Sequence, residues 1–191
     1  MSELADLPPG SIGLEQWDAL EVAHTRRWEL SEGNLIMSPR PQAPHQRISK
    51  RLVHLLDEHL TGGLEVLPEM EVTTSASFPP SVRHPDIVVA SSRAFDHAST
   101  RVPAADVVLV VEIVSPGSRG MDHVMKLYEY AKAGIEHYWI VDLEAPPPGE
   151  CFLAYRLDGD VYRPVAVLNG DRVHTRQPVE LDFALAELTR R

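Results

Sequence analysis

The segment from Val107 to Asp142 constrains the fold more than any other part of this chain. Its first residues, Val107 to Val114, are apolar except for Glu112. A short apolar run rich in β-branched residues, ended by a turn signal, is typical of a strand buried on both faces. The segment therefore predicts a strand inside a sheet that is covered on both sides.

The residues that follow this strand predict a crossover to a second buried strand. Ser115-Pro116-Gly117 ends the first strand, because proline lacks a backbone donor and glycine opens a turn. Asp122 can cap a helix that runs to about Ala133, and a second apolar strand spans His137 to Asp142. Strand, helix and strand in this order form a β-α-β unit with parallel strands.

Glu112 is the anomaly in this apolar run. A carboxylate inside a buried strand is costly unless it is paired with a cation or binds a metal. A structural salt bridge is the alternative to a functional role, and this position alone leaves both open.

The bulk composition indicates an ordinary globular chain that we expect to form one domain, residues 1–191. It has 191 residues and 43% hydrophobic residues. No apolar run is long enough to cross a membrane, and the N-terminus lacks the pattern of a signal peptide. A single cysteine, Cys151, excludes an internal disulfide, which fits a reducing cytoplasm. The histidines lack the Cys/His spacing of a zinc site.

The rest of the chain predicts an α/β (α+β) fold, with a central mixed sheet flanked by helices and extra hairpins at both ends. We predict helices at Leu14–Ala23, from Pro44 to about Leu60, and over the tail Leu181–Leu188. We predict strands at Leu64–Thr73 and Ile87–Ala90, hairpins at Trp28–Met37 and Cys151–Leu168, and irregular structure from Ser91 to Ala105.

The net charge is −10, which argues against a protein that coats nucleic acid through its overall charge. The charge is uneven, however, because no Asp or Glu occurs from Ser38 to Leu56. Four basic residues and two histidines lie there: Arg40, Arg47, Lys50, Arg51, His45 and His54. The charge pattern alone favours a solvated helix face over a phosphate-binding face.

Asp86, Glu112 and Lys126 can meet at one edge of the predicted sheet. Asp86 precedes one central strand, Glu112 ends the next, and Lys126 lies on the following helix. Carboxylates on neighbouring strands, about 4.8 Å apart, can share one Mg²⁺. A lysine beside that ion can orient or deprotonate a water and stabilise developing charge. This set of residues predicts phosphodiester cleavage. The alternatives are a strand-entry turn for Asp86 and a helix-stabilising pair of Asp122 with Lys126.

The order of these residues resembles the Uma-two family of proposed restriction endonucleases, a branch of the PD-(D/E)XK nuclease superfamily. The matching positions cover nearly the whole chain: Gly33, Met37-Ser38-Pro39, His45-Gln46, Pro85-Asp86, Glu112-Ile113-Val114-Ser115-Pro116, Arg119, Asp122, Lys126, Tyr130, Gly134 and Tyr138-Trp139-Ile140-Val141-Asp142. In the common superfamily pattern the lysine stands two residues after the glutamate, and here that position is Val114. The resemblance implies that Lys126 supplies the missing ammonium.

The resemblance also implies a restriction-endonuclease-like core and a Mg²⁺- or Mn²⁺-dependent endonuclease that acts on nucleic acid, most readily DNA. Asp86, Glu112 and the main-chain carbonyl of Ile113 would hold the metal, with Ser115 and Asp122 in support. The nucleic-acid-binding residues would be His45, Arg47, Lys50 and Arg51, and His45 could also be a plain surface histidine.

Two other functions remain open at this stage. One is a catalytically silent nuclease-fold module that binds nucleic acid or protein, which the displaced lysine and the negative net charge favour. The other is a metal-dependent hydrolase of a smaller phosphoester. We also expect a cytoplasmic homodimer, because the terminal hairpins add material outside the minimal nuclease core.

Overall fold

The computed structural model describes residues 10–20, 27–37, 41–98, 100–114, 121–143 and 151–190, without the side chains of residues 121–123. Its helices are α1 Leu14–Asp18, α2 Ala43–His59, α3 Ser92–His97, a π-helical segment Met121–Lys126 that continues into α4 Leu127–Lys132, and α5 Leu185–Thr189, with a 3₁₀ turn at Ala104–Asp106. Its strands are β1 Trp28–Ser31, β2 Asn34–Met37, β3 Leu64–Pro68, β4 Glu71–Ser75, β5 Ser81–Arg83, β6 Ile87–Ser91, β7 Arg101–Pro103, β8 Val107–Ile113, β9 His137–Val141, β10 Phe152–Asp158, β11 Val161–Val165, β12 Leu168–Asn169, β13 Arg172–Thr175 and β14 Leu181–Ala184.

A six-stranded mixed sheet organises the fold, in the order β11-β10-β9-β8-β6-β3. Strands β8 and β9 are parallel and joined by the helix that contains Lys126, so the predicted β-α-β unit is confirmed. Strand β6 pairs antiparallel with β8, with Ile87 opposite Val111. This pairing places the start of β6 beside the end of β8, where the sequence has Asp86 and Glu112.

Alternation along β8 separates two hydrophobic cores. Leu109, Val111 and Ile113 pack with α2 and the C-terminal strands, whereas Val110 packs with Tyr130 on the other face of the sheet. Because side chains alternate along a strand, Glu112 lies on the face of Val110 and α4. The predicted apolar stripe of α2 is confirmed, since Ile48, Leu52 and Leu56 are buried.

A five-stranded sheet, in the order β2-β1-β5-β4-β7, forms a second layer. The predicted N-terminal hairpin is its β1–β2 pair, whose turn residues Glu32 and Gly33 both have positive φ. A Cβ on Gly33 would lie 2.7 Å from the Cβ of Ser11, so this turn requires glycine for space as well as for conformation.

The predicted single strand over Leu64–Thr73 is wrong. The segment forms two strands, β3 and β4, which belong to different sheets. Between them Glu69 takes a φ of +54°, and its N–H donates to the carbonyl oxygen of Asp86, 3.0 Å away. A tertiary hydrogen bond thus breaks a segment whose local pattern favoured one extended strand.

Three other boundaries differ from the predictions. Ser91 to Ala105 contains α3 and β7 rather than irregular structure only. The tail begins as strand β14, which pairs with β13, before α5 starts at Leu185. In the first predicted helix, only α1 is helical among the described residues, and residues 21–26 lie outside them. The C-terminal hairpin is confirmed as β10 and β11. No helix in the described part of the chain is long and apolar enough to span a membrane.

Candidate active site

Asp86 and Glu112 come together at the edge where β6 begins and β8 ends. The register that pairs Ile87 with Val111 places Asp86 across from Glu112 when continued by one residue. The Ile113 N–H donates to Oδ2 of Asp86 over 2.7 Å, which ties the two strands together at this point. Both side chains are nearly inaccessible, with Asp86 2% and Glu112 3% exposed. Two carboxylates are therefore buried side by side.

Asp86 is held ionised by cationic and hydrogen-bonding neighbours. The Arg27 guanidinium donates to its Oδ1, and His45 Nε2 lies 3.1 Å from its Oδ2. Burial by itself would raise the pKa of Asp86, but the His45 hydrogen bond and the Arg27 charge together outweigh it and lower the pKa to about 2. His45 reaches this carboxylate because Pro44 and His45 lie in the first turn of α2, which points at the strand edge.

Glu112 is paired with two residues of the crossover helix. The Lys126 ammonium lies 2.9 Å from Glu112 Oε1, and the Tyr130 hydroxyl donates to the same oxygen over 2.7 Å. Burial, and then the charge of Glu112, raise the pKa of Tyr130 well above its ordinary value, so the hydroxyl remains a donor. An ammonium from the next helix thus lies beside Glu112.

Lys126 belongs to a π-helical segment, which the sequence did not predict. Met121–Lys126 form this segment, and the α-helix begins only at Leu127. A π segment winds the chain more widely than an α-helix, often at functional sites. The capping role predicted for Asp122 is wrong, because Asp122 lies within the helical segment rather than before it. Ser115 and the Asp122 side chain lie outside the described residues.

Glu29 is a third buried carboxylate of the site that the sequence analysis missed. It is 2% exposed on β1, with Oε1 3.4 Å from the Lys126 ammonium and Oε2 3.1 Å from Arg83 Nη1. Burial would raise the pKa of Glu29, but Lys126 and Arg83 lower it. The Trp28-Glu29-Leu30 pattern resembles any strand with one polar face, so no local signal marked it.

Arg83 connects the site to the second sheet. Its side chain is fully buried, and it binds Glu29, Glu129 and the Ser31 hydroxyl. Glu129 also accepts a hydrogen bond of 2.6 Å from Thr74. Burial alone would lower the pKa of Arg83, but the bond to Glu129 and the charges of Glu129 and Glu29 raise it. This network fixes β1, β5 and α4 around Lys126.

The predicted nucleic-acid-binding residues separate into two groups. His45 contacts Asp86, whereas Arg47, Lys50 and Arg51 lie about 140–240° around α2 from His45 at 100° per residue. Ile48, Leu52 and Leu56 occupy the buried side of the helix. Lys50 is exposed, whereas Arg47 and Arg51 are partly buried. The structure brings only His45 into the carboxylate cluster.

A family profile matches residues 14–187 of this chain, and its description is "Putative restriction endonuclease", Uma2. The chain belongs to the Uma2 family. The match includes every residue of the cluster described above, from Arg27 on the N-terminal side to Tyr130 on the helix. The expected family resemblance is therefore confirmed.

The fold of this Uma2 protein is similar to a crystal structure titled as a "putative nuclease" from Anabaena variabilis. The two share 19% identity with a TM-score of 0.68, over 93% of this chain and 97% of the other. The likeness confirms the predicted nuclease-like α/β fold. No curated protein matches the chain. The family match therefore assigns the chain to the Uma2 family of proposed restriction endonucleases, and the neighbour shows the fold.

Proposed function

We propose that this Uma2 protein is a Mg²⁺- or Mn²⁺-dependent endonuclease that hydrolyses phosphodiester bonds of nucleic acid, with DNA as the first substrate to test. The observation that carries the proposal is the pair of buried carboxylates, Asp86 and Glu112, with the Lys126 ammonium 2.9 Å from Glu112. Buried charges cost folding free energy, and a cluster this dense is typical of a functional site.

The donor set suits Mg²⁺ in kind and in number. Among the described residues, no three His, Cys, Asp or Glu side chains form a ready-made metal site. Mg²⁺ needs fewer protein ligands, because it usually keeps several waters and binds through one or two carboxylates. Asp86 and Glu112 would hold the ion, with the Ile113 carbonyl as the third ligand. When bound, the ion would polarise the phosphoryl oxygen and activate a water.

The chain's own residues divide the remaining work. Lys126 has three N–H donors and can hold the attacking water or a phosphoryl oxygen beside Glu112. Tyr130 and Glu29 orient Lys126 and Glu112, because their hydrogen bond and ion pair restrict both side chains. His45 contacts Asp86 at Oδ2, whereas Arg27 binds Oδ1.

The decisive experiment is a cleavage assay on DNA and RNA with Mg²⁺ or Mn²⁺, comparing the parent protein with Glu112→Gln. The matched control is Glu136→Gln, which removes an exposed carboxylate that pairs with Arg156 on the surface. We expect the control to cleave like the parent and Glu112→Gln to lose cleavage. Equal cleavage by Glu112→Gln and the parent would exclude this site as the source of activity.

A silent nuclease-fold module that binds nucleic acid or protein is the second candidate. The observation in its favour is that Arg27 and Lys126 already neutralise both carboxylates, as in a structural ion-pair cluster. This candidate predicts nucleic-acid binding that metal does not change and no cleavage under any divalent ion. The same assay, with a binding measurement added, separates the two functions.

The proposal includes a cytoplasmic homodimer that forms through the terminal hairpins. Strands β2 and β11 lie at the edges of their sheets and expose Met37, Val161 and Val165, each about half accessible. Exposed apolar side chains on edge strands favour contact with a second chain. Sedimentation of the parent and of Val161→Glu tests this, and a monomeric parent at micromolar concentration would contradict it.

A further inference from the structure

Arg27 is a cation of the site that the proposed chemistry does not use. It lies just before β1, and one terminal nitrogen donates to Asp86 Oδ1 and, over 3.0 Å, to the carbonyl oxygen of His84. The charges of Asp86, Glu112 and Glu69 all act on its guanidinium. A divalent ion shared by Asp86 and Glu112 would therefore lie close to the positive charge of Arg27.

A metal ion would compete with cations that the cluster already contains. The ion pairs among the described residues join four carboxylates, Glu29, Asp86, Glu112 and Glu129, to the side chains of Arg27, Arg83 and Lys126. The charge of Glu69 also acts on Arg27. A divalent ion held by Asp86 would lie beside the Arg27 guanidinium, which already binds that carboxylate. The ion and a resident cation would therefore compete for the same oxygen.

The contacts indicate which cation moves. Asp86 Oδ2 is already bonded to the Ile113 N–H and His45, so Oδ1, which Arg27 holds, is the oxygen that a metal would take. Arg27 is the most accessible of the three, at 13% against 7% for Lys126 and 0% for Arg83. Its Nε is also buried without a hydrogen-bond partner in the described part of the chain. A buried donor without a hydrogen-bond partner costs free energy, so the buried position of the Arg27 side chain is less favourable than a fully bonded one.

We infer that Arg27 is a movable phosphate ligand: it neutralises Asp86 before metal binds, and it turns to a substrate phosphate when a divalent ion takes Asp86. The guanidinium suits this role, because its planar donors match a phosphate in two parallel hydrogen bonds. A rotation of the Arg27 side chain would release Asp86 without a change in strand β1, which begins at the next residue. This inference rests on the proposed nuclease function and names a substrate-binding residue within it.

The inference requires that metal and nucleic acid bind with positive coupling. Metal binding alone must break the Arg27–Asp86 ion pair, whereas metal binding with a phosphate present gives the guanidinium a new partner. By linkage, each ligand then strengthens the other by the same factor. Loss of the guanidinium should strengthen metal binding in the absence of nucleic acid. It should also reduce the coupling to the part that a direct contact between metal and phosphate supplies.

The test is a Mn²⁺ titration followed by electron paramagnetic resonance, with and without a short phosphorothioate DNA duplex that resists cleavage. For Arg27→Met we expect Mn²⁺ affinity without DNA to rise by about 5-fold or more, and the gain in affinity on adding DNA to be smaller than the parent's by a similar factor. Arg27→Lys keeps the charge and should bind Mn²⁺ like the parent. The matched control is Arg101→Met. Arg101 lies on the edge strand β7 and pairs with Asp18 at the surface, so its loss should change neither the Mn²⁺ affinity nor the coupling.

The outcomes separate this inference from the proposed function. If Glu112→Gln weakens Mn²⁺ binding but Arg27→Met leaves both affinity and coupling at parent values, the metal site stands and the role of Arg27 is refuted. If neither the parent nor Arg27→Met binds Mn²⁺, with or without DNA, both the proposed metal site and the role of Arg27 are refuted. If Arg27→Met does not fold by circular dichroism, Arg27→Lys decides, because loss of two parallel phosphate bonds should still reduce its coupling.

Discussion

Replacing Lys126 with methionine should destabilise the protein far more than replacing an exposed lysine. The ammonium lies between two buried carboxylates, Glu112 at 2.9 Å and Glu29 at 3.4 Å, and its side chain is only 7% exposed. Removing one partner of a buried ion pair costs about 3–5 kcal/mol, because the remaining charge stays in a poorly solvated place. Glu112 keeps Tyr130 and Glu29 keeps Arg83, so we expect the lower end, about 3 kcal/mol.

The size of this loss distinguishes two roles for Lys126. A surface pair with Asp122 along the helix would contribute only about 0.2–0.5 kcal/mol. A loss of about 3 kcal/mol corresponds to a fall in Tm of about 6–12 °C for a chain of this size. Thermal unfolding of Lys126→Met, with the exposed Lys132→Met as the matched control, measures the difference directly.

A double-mutant cycle with Glu112→Gln tests whether the lost stability comes from this ion pair. If Lys126 stabilises the fold through Glu112, the double variant should lose less than the sum of the single losses, with a coupling of about 1–3 kcal/mol. Cleavage by Lys126→Met at a temperature where it is folded should fall by about 10²-fold or more if Lys126 assists the water. Additive stability losses, or a Tm within 1–2 °C of the Lys132→Met control, would refute the reasoning.

Three further predictions address the surroundings of the site. Tyr130→Phe removes a buried donor to the Glu112 carboxylate and should cost about 1.5–3 kcal/mol in urea unfolding; a loss below 0.5 kcal/mol would contradict the hydrogen bond. Glu29→Gln should be most destabilising at neutral pH. Because the pKa of Glu29 is lowered in the folded protein, the stability that its carboxylate contributes is present above about pH 4.5 and is lost as the pH falls. The free energies of unfolding of variant and parent should therefore converge in acid. Replacing Arg47 and Lys50 with Glu should weaken nucleic-acid binding on all sequences and reduce its salt slope by about 2 if their face of α2 contacts phosphate; an unchanged slope makes it a solvated face.

The parts of the fold that were predicted correctly are those with a strong local pattern. The apolar run of β8, interrupted by Glu112 alone, predicts a strand buried on both faces, and the 3.6-residue spacing of α2 identifies a helix and its buried side. The predictions failed where a distant contact overrides the local pattern. The break at Glu69 is bonded to the Asp86 backbone, and strand β14 forms because β13 pairs with it. Neither partner is visible within a short window of sequence.

The candidate site shows the same division. Glu112 was identified because a charge inside an apolar strand is locally improbable, and Asp86 and Lys126 followed from the order of strand, strand and helix. Glu29 and Arg27 were missed, because a charged residue in or before a short strand is ordinary. Only the packing of the second sheet against the crossover helix buries Glu29 beside Lys126.

The amino-acid sequence alone determined the buried β-α-β unit and the carboxylate that needed a partner, because both depend on residues close together in the chain. It also determined the family, through motifs spread along nearly the whole chain. Only the tertiary structure decided which cations neutralise those carboxylates. Lys126 reaches Glu112 from the next helix, and Arg27 reaches Asp86 from before the first strand. Burial strengthens electrostatic interactions over a few ångströms, so the identity of a partner depends on distances that the folded chain sets and local sequence patterns do not record.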